Sequence, residues 1–286
     1  MANTIGFGQA AVNNTIDYGQ GAIDNTINWG KSQTLSPSGE TNITGTGGTP
    51  PFSNVNSFSF DGIDEYFLGT STYSELDGQN KATISLWAKF DNLDSFRILT
   101  SLTRNSNVNN FVFMLCNVGN VLRFFTSSTT QYTYSNAVLT SNTWLHIMIA
   151  IDKTQGTSAT RCKIFINGQD ETSATVSQDG TALQTSNSSL YIGENQNGKY
   201  SPMLGKIDEL AIWSGTDLRN DVATIYNNGT PTDLNNNGLT APTTWQRMGD
   251  NATWNGATWT MTDVNGSYTN RSIFMVEANR STDVPT

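Results

Sequence analysis

From Phe52 to about Tyr226, apolar and polar residues alternate in short runs broken by turn residues. This period of two marks strands that bury one face. In ATISLWAKF, Ile84, Leu86, Ala88 and Phe90 fall on one side, and Thr83, Ser85, Trp87 and Lys89 on the other. FVFMLCNVGNVLRFFTSS predicts a hairpin turning at Asn117-Val-Gly119-Asn120. The longest apolar run, Trp144 to Ile151, is far short of a membrane span and predicts a buried strand. RCKIFINGQD predicts a strand ending in an Asn167-Gly168 turn, and LYIGENQNG and MLGKIDELAIW follow it. One short helix is predicted in DLRNDVATIYNNG, with Leu218, Val222, Ile225 and Tyr226 near one face and Gly229 as its stop. The expected fold class is all-β, an antiparallel two-sheet sandwich over residues 52–232.

The flanking regions differ in texture. Residues 1–35 repeat an eleven-residue phrase: Asn-Thr-Ile begins at 3, 14 and 25, and Phe7-Gly8, Tyr18-Gly19 and Trp29-Gly30 follow. As a helix, an eleven-residue period is three turns and places Ile5, Val12, Ile16, Ile23 and Ile27 in one stripe. Phe7, Tyr18 and Trp29 then lie opposite, but each interior glycine costs a helix about 1 kcal/mol. The competing account makes each phrase a short strand turned by its glycine. Under either account so short an arm cannot bury these side chains by itself. They are therefore expected to meet other copies of the arm or a host surface. Residues 36–51, SPSGETNITGTGGTPP, form a linker, and a Trp-rich hairpin and tail are expected over 233–286.

Charged residues make up only 14% of the 286, and the formal charge is −9, which argues against a nucleic-acid partner. No apolar run is long enough for membrane insertion, and the opening residues lack the pattern of a secretory signal. Cys116 and Cys162 lie far apart in apolar strands without metal-ligand spacing. They read as buried thiols, with a disulfide open if their strands face each other.

Several segments together resemble the laminin-G-like, concanavalin A-type sandwich family. SFSFDGIDEYFLGTS (57–71) is similar to its opening hairpin, ATISLWAKF to its first core strand and NTWLHIMIAID to its Trp-x-His strand. CKIFINGQD is similar to its Asn-Gly hairpin, and LGKIDELAIWSGTDLRNDVATIYNNG to its closing strand and trailing helix. TTWQRMGDNATWNGATWTMTDVNG and the N-terminal phrases resemble elements of marine phage virion proteins. The resemblance implies a two-sheet jelly roll, one sheet flatter and one concave, that often binds sugars or proteins. The family also contains enzymes and plain spacers, so fold alone leaves function open.

Catalysis finds little support. Glu75-Leu-Asp77 begins the Glu-x-Asp-x-Glu strand of glucanases, but Gln79 stands where the second Glu belongs. The single histidine, His146, has no nucleophile motif beside it. In GKIDELAIW, alternation puts Asp208 with Leu210 and Ile212, and Glu209 with Ile207, Ala211 and Trp213. One carboxylate should thus face inward and need a cation or a donor. The resemblance implies a structural Ca²⁺ near this strand and the opening turn, making Asp61, Asp64 and Asp208 candidate ligands. The alternative for Asp208 is pairing with backbone amides or a lysine.

Glycan contact wants exposed aromatics in polar company. Tyr132 and Tyr134, on one strand face in TTQYTYSN, and Tyr200, in NQNGKYSP, are the candidates. Trp245, Trp254 and Trp259 read as packing residues. The expectation is a non-enzymatic virion surface protein: a spike, fibre or capsid-decorating subunit. Its arm would join other virion proteins and form a homo-oligomer, a trimer being favoured, while the sandwich contacts a host glycan or protein. The alternative is a secreted or cell-surface bacterial carbohydrate-binding module.

Overall fold

The structure, a computed structural model, describes residues 16–17, 22–23, 52–104, 111–126, 129–185, 187–195, 201–266 and 268–286. The chain divides into two compact units, Met1–Pro51 and Phe52–Thr286. In the first, Ile16–Asp17 and Ala22–Ile23 pair as antiparallel strands, with Ile16 opposite Ile23. At these four residues the repeat is strand and not helix. The other expected assembly residues, Ile5, Phe7, Val12, Tyr18, Ile27 and Trp29, lie outside the described residues.

The second unit is a sandwich of two antiparallel sheets. Across the first sheet the strands run Gln169–Asp170, Cys162–Ile166, Trp144–Asp152, Lys81–Phe90, Leu204–Ser214, Ser57–Asp61 and Arg280–Ser281, with Thr244–Gln246 also pairing Leu204–Ser214. Across the second they run Thr172–Val176, Tyr132–Ser135, Val121–Thr126, Phe111–Val118, Arg97–Arg104, Ser188–Ile192, Phe67–Gly69, Thr269–Ser272, Trp259–Thr262 and Ala252–Trp254. The inner faces interlock in one core. Ile84, Leu86, Ala88 and Phe90 enter it from the first sheet, and Leu122, Phe124, Leu190 and Ile192 from the second. The two-residue alternation read in the sequence is thus the division between core and outer face.

The 233–286 segment is woven into this sandwich instead of following it. Its strands extend both sheets, and the Trp259 ring packs edge-on to Phe58 at 5.0 Å in the shared core. Near the end, Arg280–Ser281 pairs with the Ser57–Asp61 strand. Asp283 then accepts from Trp144 Nε1 at 2.9 Å and pairs with Lys89 and Lys206.

Two local readings are corrected. The helix spans only Val222–Tyr226, and it is Asn227, at φ 47°, that ends it, two residues before Gly229. An asparagine tolerates this left-handed cap. Further back, the Leu204–Ser214 strand shifts register between Asp208 and Ala211, with Glu209 at φ +48°. The extra residue of this β-bulge breaks the alternation. Asp208 lies opposite Trp87 on the outer face, while Ile207, Leu210 and Ile212 remain in the core. Neither carboxylate opens an inward row.

Candidate functional site

The outer face of the first sheet is covered. Met148, Ala150, Ala211 and Trp213 pack beneath Leu218, Ile225 and Leu234, forming a second small core. Within it Ser85 Oγ lies 2.8 Å from His146 Nε2. Among the described residues His146 Nδ1 has no partner, and the adjoining cavity, lined by Trp87, Glu209, Pro231 and Thr232, has room for about one water. Burial pushes the His146 pKa down to about 3, so the ring is neutral. This is packing with a polar centre, and among the described residues no carboxylate hydrogen-bonds the ring.

The bulge carboxylates are also answered from within the fold. Asp208 Oδ2 accepts from Asn54 Nδ2 at 3.0 Å and Oδ1 from the Glu209 N–H at 2.9 Å. Glu209 accepts from Trp245 Nε1 at 2.6 Å and from Arg247 Nε at 3.0 Å. Burial raises both carboxyls, with the Glu209 charge adding to the shift of Asp208; Glu209 reaches about 7 despite Arg247. Asp61 lies opposite Leu204, four residues along the strand from Asp208, or roughly 13 Å. Asp61 Oδ1 accepts from the Ile63 N–H. Among the described residues no three His, Cys, Asp or Glu side chains gather as a metal site. The set Asp61, Asp64 and Asp208 therefore does not fit one Ca²⁺, which needs several oxygens converging at about 2.4 Å. Asn54 and the Glu209 amide supply the donors that Asp208 meets in the fold.

The outer face of the second sheet is different. Leu122 and Phe124 point into the core, so Arg123 and Phe125 point out. Cross-strand register sets Arg123 beside Tyr134, and Phe125 beside Tyr132. The guanidinium carbon of Arg123 lies 4.3 Å from the Tyr134 ring centre, 4.9 Å from Tyr132 and 5.5 Å from Phe125. Its Nη2 donates to the Tyr134 hydroxyl at 2.6 Å. Tyr132 stands edge-on to Tyr134 at 5.0 Å and to Phe125 at 5.5 Å. Burial and the Tyr132 hydroxyl raise the Tyr134 phenol against the pull of Arg123, keeping it a neutral donor. Arg123, Tyr132 and Tyr134 are half-buried, offering edges and faces to solvent.

The row continues through Met114, opposite Phe125, to Ser101, opposite Met114. There the chain at 194–195 crosses the sheet: Ser101 Oγ donates to the Glu194 carbonyl at 3.0 Å and Thr103 Oγ1 to that of Asn195 at 2.9 Å. Asn195 Nδ2 reaches Met114 Sδ at 3.6 Å, while its buried Oδ1 has no partner among the described residues. The result is an aromatic floor, a fixed cation and an amide wall. Tyr132 to Met114 spans two strand spacings, roughly 10 Å, the width of a short saccharide.

Of the expected contact residues, Tyr132 and Tyr134 are brought together and Tyr200 lies outside the described residues. Arg123, Phe125, Met114 and Asn195 were not anticipated. Alternation in VLRFFT already puts Arg123 and Phe125 on one face, but their meeting with the tyrosines depends on register between strands.

The family described as the concanavalin A-like lectin/glucanases superfamily, in its laminin G form, matches residues 61–223, over half of the chain. The chain belongs to this superfamily. Comparison with curated proteins gives no match. Among solved structures, a Bacteroides ovatus protein to which carbohydrate binding is ascribed is similar at 15% identity and a TM-score of 0.54. The similarity covers 82% of this chain and 63% of that one. A heptameric SAP-like pentraxin from Limulus polyphemus is similar at 15% identity and a TM-score of 0.47, over 60% of this chain and 82% of its own. At such identities the likeness is one of fold. The superfamily spans lectins and glucanases, so the choice between binding and hydrolysis rests on the residues of this member.

Proposed function

We propose that the protein is a non-enzymatic glycan-binding protein whose contact face is the outer surface of the second sheet. The observation that carries this reading is the cluster of Arg123, Tyr132 and Tyr134. It fixes two amphipathic rings and a cation side by side at half exposure. Rigid tyrosines give contact area at low entropic cost, and their hydroxyls answer sugar hydroxyls. Superfamily membership and the carbohydrate binding ascribed to the Bacteroides ovatus protein agree with this. Against hydrolysis, Asp77 sits in a turn and accepts from the Thr185 N–H, and the Ser85–His146 pair is buried.

The proposal extends to setting. The arm of repeated Ile and aromatic residues assembles the protein, as a trimer or with other virion proteins, and the sandwich faces outward from a phage surface. Solution mass of the full chain beside a chain starting at Pro51 tests assembly, since Phe52–Thr286 has its own core. Identical monomer masses would remove self-assembly. The binding reading is tested on a glycan array. Tyr132→Ala with Tyr134→Ala is expected to weaken binding at least about tenfold, or about 1.4 kcal/mol. Unchanged binding would refute it.

A further inference from the structure

We infer that the glycan carried by this face bears a carboxylate, received by Arg123. This rests on the glycan-binding reading and adds the chemical class of the ligand. The other half-buried arginines of the sandwich end on a carboxylate or a backbone-carbonyl acceptor of the fold, as Arg97 does on Pro202 and Arg161 on Gln178. Arg247, over the first sheet, holds Glu209 and Asp250, and Arg219 holds Asp217. Arg123 has no carboxylate within ion-pair distance among the described residues. Its only described side-chain hydrogen bond goes to the neutral Tyr134 hydroxyl, and its buried Nε finds no acceptor.

The three rings stabilise the cation and fix its plane without neutralising it. What remains is a held guanidinium with spare donors beside two half-exposed rings. A planar carboxylate matches that fork in two parallel hydrogen bonds, which a hydroxyl cannot do. Because the ring faces and the guanidinium are adjacent, one sugar residue can lay its apolar face on a tyrosine and turn its carboxylate to Arg123. A sulfate ester can also take two hydrogen bonds from the fork, so sulfated glycans are the competing ligand in the test.

The test is an array on which each uronate- or sialate-bearing glycan is printed beside its carboxyl-reduced counterpart, with sulfated neutral glycans as a third arm. The intact chain is probed, and hits are titrated by calorimetry. The expected result is binding of acid forms about tenfold or more tighter than reduced forms. Arg123→Gln should abolish that preference, and Arg123→Lys, which keeps charge but loses the fork, should restore only part of it. Equal binding of acid and reduced forms, a preference that survives Arg123→Gln, or binding of sulfated glycans alone would overturn the carboxylate assignment. If equal binding is still lost in Tyr132→Ala with Tyr134→Ala, the glycan face stands and only the carboxylate falls. Binding to no glycan would remove both. The wild-type comparison decides the matter even if an Arg123 variant fails to fold.

Discussion

Trp245 Nε1 donates to Glu209 Oε2 at 2.6 Å, tying the late Trp-rich segment to the bulge in a central strand of the first sheet. Arg247 completes the clamp, reaching both Glu209 and Asp250. Removing the carboxylate leaves the Trp245 indole N–H and Arg247 Nε without their acceptor, while Arg247 Nη2 keeps Asp250. Glu209→Ala is therefore expected to cost about 3 kcal/mol in denaturant unfolding. Glu209→Gln should cost less, because it keeps an acceptor for Trp245. Equal, small losses would mean that the clamp contributes little.

Gly205 sits where a side chain would run into the backbone of the paired strand. At φ +137°, a Cβ there would stand 2.0 Å from the Lys89 carbonyl oxygen. Backbone cannot yield as a flexible side chain can. Gly205→Ala should destabilise by about 3 kcal/mol or more, with the loss read as a lowered thermal midpoint.

His146 predicts an acid-sensitive fold. Its ring has a pKa of about 3 when folded, against 6.5 for a free histidine. Between those values the unfolded chain binds the extra proton, so this residue's contribution is intact above about pH 6.5. It is lost as pH falls towards 3, at up to about 1.4 kcal/mol per pH unit. Asp208 and Glu209 act in the opposite sense: their raised pKa values make stability fall as pH rises through them. Comparing wild type with His146→Gln isolates the histidine, and the variant should lose less stability between pH 7 and pH 4. A parallel pair of curves would show that the ring is not buried neutral.

Cys116 and Cys162 are free and buried, and burial raises both thiols, Cys162 to about 11. Neither should react with a thiol reagent in the native protein at neutral pH, and both should react in denaturant. Rapid native labelling of either would contradict its placement.

Much of the sandwich was legible because its inner rows obey strict alternation: Ile84, Leu86, Ala88 and Phe90 face the core as their spacing requires. The contact face was half legible. Tyr132 and Tyr134 share a face by the same rule, but Arg123 meets them only through pairing across strands, which composition and spacing do not encode. The bulge was illegible, because Glu209 adopts a left-handed backbone without the glycine that usually announces one. The same bulge moved Asp208, one of the three candidate metal ligands, from the expected inner face to the outer one.

The central claim is the location of binding, and a crystal structure of the full chain with its tightest array ligand tests it most directly. The account predicts a sugar ring lying against Tyr132 or Tyr134 with a polar group within hydrogen-bond distance of Arg123. A glycan seated elsewhere, such as beside Tyr66 and Phe274 at the far side of the same sheet, would contradict it.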